Sequence, residues 1–151
     1  MQVTARVDYA VRALAELAAR GGESATRTQL AEAQGIPSKF LEAILSDARK
    51  AGLVAAQRGA AGGYVLAIAP SEITIADIVR AVDGPLAAVR GAAPESIEYA
   101  GAAEQLRDVW IAVRASLRRV LEATTLADLV DGRLPAEVRA LLEGEDVYRR
   151  R

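Results

Sequence analysis

The chain has no cysteine and no histidine in its 151 residues. Without cysteine there is no disulfide, thiolate metal site or thiol nucleophile. Without histidine it lacks the commonest general base and the commonest metal ligand. Aromatic residues make up only 4%, while apolar residues reach 52%, with alanine foremost. That composition favours helices that approach closely and disfavours long sheets. No run of about 18 apolar residues is present, so no transmembrane helix and no membrane partner are expected. Met1 to Ala10 carries Arg6 and Asp8 and no long apolar stretch, unlike a signal peptide. The expectation is a cytoplasmic protein.

Charge of one sign is also scarce. The net charge is −1, which argues against nucleic-acid binding through bulk charge. Its distribution is uneven. Residues 1–64 hold eight Lys/Arg against six Asp/Glu, and residues 65–151 hold eleven against fourteen. The N-terminal part therefore has the sign that a DNA-reading domain needs.

What is present is helical patterning. Thr4 reads as an N-cap, and Val7, Ala10, Val11, Leu14, Leu17 and Ala18 recur at helical spacing until Gly21 and Gly22. Thr28 is the expected cap of a short second helix through Gln34, with Leu30, Ala31 and Ala33 inward and Gly35 as its stop. A third helix is expected from Ser38 to Ala51, with Phe40, Leu41, Ile44, Leu45 and Ala48 inward. Two helices joined by a short glycine-containing turn follow the helix-turn-helix plan, and an ordinary helical hairpin has the same outline.

Leu53 to Gln57 and Tyr64 to Ile68 read as strands around the turn Arg58-Gly59-Ala60-Ala61-Gly62-Gly63. A hairpin directly after the candidate recognition helix is where a winged helix carries its wing. Gly59, Gly62 and Gly63 permit a close backbone approach to a phosphate. Arg58 is placed to enter a minor groove. A glycine-rich turn serves any hairpin equally well. An enzymatic phosphate loop fits poorly, because Tyr64 begins a strand and no helix N-terminus follows.

After Pro70, Thr74 and Asp77 form a capping-box pattern for a helix through Val82, stopped by Asp83-Gly84-Pro85. Residues 86–102 read as a loop with one short helical turn. The longest pattern runs from Ala103 to Ala123. Leu106, Trp110, Val113, Leu117, Val120 and Thr124 follow alternating spacings of four and three, a coiled-coil-like seam widened by Val109 and Leu121. A helix of about 30 Å exceeds what a small winged domain can cover. A second copy supplying the same seam is the simpler solution, and twofold dimers are the commonest oligomers. Thr125 with Asp128 caps a short helix to Val130, and Pro135 to Leu142 is a further amphipathic turn or two. The tail, with Arg149, Arg150 and Arg151, reads as solvated.

Five stretches together resemble a known family. They are Tyr9-Ala10-Val11-Arg12-Ala13-Leu14; Phe40-Leu41-Glu42 leading to Ala51-Gly52-Leu53-Val54; Arg58-Gly59 with Gly62-Gly63-Tyr64; Ile73-Thr74-Ile75 through Ala81-Val82-Asp83-Gly84; and Thr124-Thr125-Leu126-Ala127-Asp128-Leu129. In this order, over nearly the whole chain, they are similar to the Rrf-two (Rrf2) family of bacterial regulators, with its IscR, NsrR and CymR types. The resemblance implies a homodimer with a long crossed helix and two winged heads facing a palindromic operator on double-stranded DNA. It places Ser38, Lys39 and Glu42 at the major groove. Glu42 is suited to accept from a cytosine amino group, and Ser38 and Lys39 to hold phosphates or base edges. It places Arg58 and the glycine turn through Tyr64 in the wing, and Thr28 and Gln29 at a helix N-terminus that holds a phosphate.

The departure from the family is the missing cysteines. Many members hold an iron–sulfur cluster on three cysteines in the loop before the long helix, and a variant uses carboxylate and histidine. Leu86 to Ala103 has none of the cysteines, and Asp8 is a carboxylate without a histidine to accompany it. Asp and Glu alone suit hard cations. The expectation is therefore a regulator without a cluster, metal or other cofactor.

The fold class expected is mainly α with a small β-hairpin wing: a winged helix-turn-helix domain plus a long C-terminal dimerisation helix. The expected divisions are 1–84 for DNA binding, 85–102 for a linker or effector loop, 103–142 for the dimerisation helix and short helices, and 143–151 for the tail. The leading function is a DNA-binding transcriptional regulator, acting as a repressor and not as an enzyme. One alternative is a regulator acting through a partner protein docked on the loop and long helix, and an unknown small-molecule effector is a further candidate partner. Tyr99 and Trp110 mark where such a ligand is expected, with Trp110 packed into a core. Another alternative is a small enzyme using Asp, Glu, Lys or Tyr. Its only lysines, Lys39 and Lys50, read as surface residues of the third helix.

Overall fold

The computed structural model describes residues 2–144 and 147–149. Its helices are α1 (Ala5–Ala19), α2 (Arg27–Gln34), α3 (Ser38–Lys50), α4 (Ile75–Asp83), α5 (Leu106–Leu121), α6 (Leu126–Asp131) and α7 (Ala136–Leu142). Strands β1 (Val54–Gln57) and β2 (Gly63–Leu66) form an antiparallel hairpin in which Val54 pairs with Leu66 and Gln57 with Gly63. This is the mainly helical winged architecture read from the sequence. Arg150 and Arg151 of the tail lie outside the described residues.

Hydroxyl caps set the helix starts. The Thr4 side chain accepts from the Val7 amide, and Thr74 and Thr125 form reciprocal capping boxes with Asp77 and Asp128. The second helix corrects the expected boundary. Its cap is Thr26, whose hydroxyl accepts from the Gln29 amide while the Gln29 side chain accepts from the Thr26 amide. Thr28 lies inside the first turn. The alternative fails on chemistry, because the residue three beyond Thr28 is Ala31, which has no side-chain acceptor to return the bond. Gly35, at φ 60°, ends this helix in the left-handed conformation that glycine adopts without steric cost.

Helix α1 lies at the centre, against α2, α3, α4, α6 and β2. Ala10 and Ala13 are fully buried, and their small side chains let neighbouring backbones come close. Around them pack Leu14, Leu17, Leu30, Leu41, Ile44 and Leu45, each worth roughly 1.5–3 kcal/mol when fully buried. Two inward assignments are corrected. Ala33 faces solvent, and Phe40 is 38% exposed, lying on the flank of α3 against Tyr9 with ring centroids 5.4 Å apart.

The segment after α5 returns to this core. Leu126 is fully buried within it, and its amide donates to the Ile73 carbonyl at 2.9 Å. The Ile75 amide donates to the Thr124 carbonyl at 2.9 Å, so the end of α5 is tied to the start of α4. Helix α5 itself is shorter than the pattern suggested. Residues 101–103 form a 3-10 turn, and the helix of 16 residues spans about 24 Å. The loop before it has a second 3-10 turn at Pro94–Ser96 and a tight turn in which Val89 and Ala92 pair. Among the described residues, no helix is long and apolar enough to cross a membrane.

Candidate nucleic-acid interface

The wing is fastened to the base of the helix-turn-helix. Ala25 and Tyr64 exchange two backbone hydrogen bonds, at 3.0 and 2.8 Å, and the Ser24 hydroxyl donates to the Ala61 carbonyl at 2.6 Å. Gly63 makes this docking feasible, since a Cβ there would lie 2.6 Å from the Ala25 carbonyl oxygen. At Gly62 a Cβ would lie 2.7 Å from the Gly59 carbonyl oxygen. Both glycines are thus demanded by the protein's own backbone, a need separate from the phosphate approach expected of them. Gly59 differs: it takes φ 107° with open space around it.

Two residues beyond Ala25, Arg27 begins α2. Its guanidinium donates to the Glu42 carboxylate on α3 at 3.0 Å, and both groups are exposed. Arg27 was not singled out from the sequence. Its signal lay in Thr26 and Gln29: recognising that capping box makes Arg27 the first helical residue. A path of bonded residues therefore runs from the wing through Ala25 and Arg27 to Glu42. Thr28 and Ser38 border one shallow cleft beside it. Ser38 opens α3 after Pro37, which supplies no side-chain cap, and the Phe40 amide donates to the Pro37 carbonyl at 3.0 Å. Lys39 is exposed, with its ammonium 5.2 Å from the Phe40 ring centre. Arg58 is exposed at the hairpin tip, with no ion-pair partner among the described residues. Gln29 is exposed, but its carbonyl oxygen is committed to the cap.

The seam is the second feature. Among its expected residues Val113, Leu117 and Val120 line an open apolar groove of about 560 Å³ with Val109 and Leu121. Leu106 and Trp110 are half-buried and lie outside that groove. No residue of α5 is fully buried, so the expectation that Trp110 sits in a packed core is corrected. The cavity that Tyr99 lines is small, about 240 Å³, and does not include Trp110.

Ion pairs join α5 to its surroundings. Glu122 meets both Arg80 of α4 and Arg118, and hydrogen bonds from Arg80 first and Arg118 second hold its carboxyl below the usual range. Glu95 is lowered chiefly by its hydrogen bond from Arg114, whose Nη1 is 2.7 Å away. Asp128 is lowered by the Thr125 amide and then the Thr125 hydroxyl.

A glycine-containing turn between two helices, followed at once by a hairpin wing, defines a winged helix-turn-helix protein. The chain belongs to the Rrf2 family, described as iron-dependent transcriptional regulators, whose pattern matches residues 3–132. It is 47% identical over 144 residues to Rv1287 of Mycobacterium tuberculosis (strain ATCC 25618 / H37Rv), named for an HTH-type transcriptional regulator, covering 95% of this chain and 89% of that protein. Among solved structures it is similar to CymR (YrzC), the global cysteine regulator of B. subtilis. That likeness has a TM-score of 0.73 and 32% identity, covering 87% of this chain and 98% of the other. The T. potens IscR structure gives 0.70 and 30%, covering 99% and 97%. The protein is accordingly a DNA-binding transcriptional regulator.

The family description implies iron, and the residues here do not fit it. The chain offers neither thiolate nor imidazole. Among the described residues no three Asp or Glu gather in a way that could hold a metal ion. The cleft beside the loop before α5 is lined by three arginines, whose guanidiniums donate hydrogen bonds and cannot ligate a cation.

Proposed function

We propose that two copies pair along the α5 stripe and set two winged heads on a palindromic operator, as a repressor that works without an iron–sulfur cluster. The observation that carries the reading is the bonded path from the wing to α3. It supports Ser38, Lys39 and Glu42 acting at the major groove, with Arg58, Gly59 and the turn through Tyr64 at the flanking backbone or minor groove. Thr28, Gln29 and the newly found Arg27 serve as phosphate contacts. An exposed ion pair contributes about 0–1 kcal/mol, so little is lost when a phosphate takes Arg27 or a cytosine amino group takes Glu42. Residues 1–84 carry the reading head, 85–102 the loop, and 103–142 the pairing arm, with α6 packed back on the head. Repression follows the commoner role in the family that the chain resembles.

A gel shift with DNA from upstream of the protein's own gene tests this. Lys39→Ala and Arg58→Ala are each expected to weaken binding and to lower the salt dependence by about one ion. Glu42→Ala is expected to relax preference at one base pair, by about 1–3 kcal/mol. Unchanged binding in the first two variants contradicts the assignment.

A further inference from the structure

We propose that the cleft between the end of α4, residues 85–97 and α5 binds a small organic acid, whose carboxylate takes the place of Glu95 on Arg114. The cleft has a volume of about 540 Å³, within the span of small-molecule sites. Its walls divide by chemistry. Pro85, Leu86 and Pro94 form an apolar side, and Arg80, Arg114 and Arg118 form a cationic one. The apolar wall is fixed from beneath, because Leu86 and Pro94 are both buried. The turn above it is held by two backbone hydrogen bonds between Val89 and Ala92, at 2.9 and 3.0 Å.

The formal charges balance, so an incoming anion must displace a carboxylate already there. Three guanidiniums meet three carboxylates: Arg80 meets Asp77 at 3.7 Å and also Glu122, Arg118 meets Glu122, and Arg114 meets Glu95. These carboxylates are not equally replaceable: Asp77 is committed to the Thr74 capping box. Glu122 lies on the same helical stretch as Arg118 and bonds two arginines at once. Glu95 has one partner, sits on the loop, and is 55% exposed while Arg114 is only 23% exposed. The sheltered member of that pair is the guanidinium. A carboxylate arriving from solvent meets a planar fork suited to bidentate binding, already oriented by the group it displaces. The apolar wall then takes the body of the ligand, which inorganic phosphate lacks.

Isothermal titration calorimetry on the full chain without DNA tests the site, with benzoate as the probe and benzamide and inorganic phosphate as controls. Benzoate is expected to bind and benzamide not. Glu95→Gln removes the internal competitor and should tighten benzoate by about tenfold, while Arg114→Gln should weaken it at least about tenfold. Absence of heat with both the wild type and Glu95→Gln overturns the proposal. So does unchanged affinity in Arg114→Gln, or phosphate binding as tightly as benzoate. If circular dichroism shows Arg114→Gln unfolded, the opposite shift in Glu95→Gln still decides. Operator binding plays no part in this measurement, so failure of the DNA reading would leave its result standing.

Discussion

Helices α1 and α5 are nearly equal in length, 15 and 16 residues, and both carry an apolar stripe, yet their surroundings are opposite. Helix α1 buries Val7, Ala10, Ala13, Leu14 and Leu17 inside its own chain. Helix α5 buries no residue fully, and Val109 is 51% exposed. The difference teaches what an amphipathic pattern means. In α1 it records packing already complete. In α5 it records an apolar face that the rest of the described chain leaves open, although the chain fastens the middle of the helix and the residues just beyond its end. Arg114, at mid-helix, is paired with Glu95 of the loop, and Thr124, just past the last turn, is bonded to Ile75. The stripe is thus held in place, no described residue closes it over, and a second copy of the same stripe matches it in length and chemistry.

Five variants break or sharpen this contrast. The largest effect is expected from the double variant Val113→Asp/Leu117→Asp. Two carboxylates per protomer would face two more across a twofold axis, at a cost of several kcal/mol, and association should weaken at least about a thousandfold. Far-UV circular dichroism should stay unchanged, because neither residue is buried in the monomer. Sedimentation and dichroism together check both halves. Leu45→Ala should do the reverse, leaving association alone while lowering unfolding free energy by about 2–5 kcal/mol in urea titration. Gly63→Ala forces a Cβ against the Ala25 carbonyl. It should cost about 1–3 kcal/mol and loosen the wing, read as faster amide exchange at Tyr64. Smallest is Thr26→Ala, about 1 kcal/mol by thermal melting, whereas Thr28→Ala should change the melt little.

That last pair shows where the sequence was readable and where it was not. Helices and hairpin were legible because Thr, Gly and Pro punctuate them at spacings set by backbone hydrogen bonding. Thr28 and Thr26 both offer a capping hydroxyl, and only Thr26 has a side-chain acceptor, Gln29, three residues on. Hydrophobicity alone points Phe40 inward, but Leu41 and Ile44 already fill that face of α3. Of the candidate interface, Ser38, Lys39 and Arg58 could be marked by position. Arg27 could not be tied to Glu42, fifteen residues away, until helix packing was known. The same holds for Arg80 and Glu122, and for the three arginines gathered beside the loop. Each depends on how α4 and α5 meet, which local pattern does not encode.

The central claim is that the open stripe of α5 joins two copies. Light scattering coupled to size exclusion, on the wild-type chain at micromolar concentration, tests it most directly. The account predicts twice the chain mass, falling to a single chain mass in Val113→Asp/Leu117→Asp. A wild-type protein that elutes with the mass of one chain would contradict it.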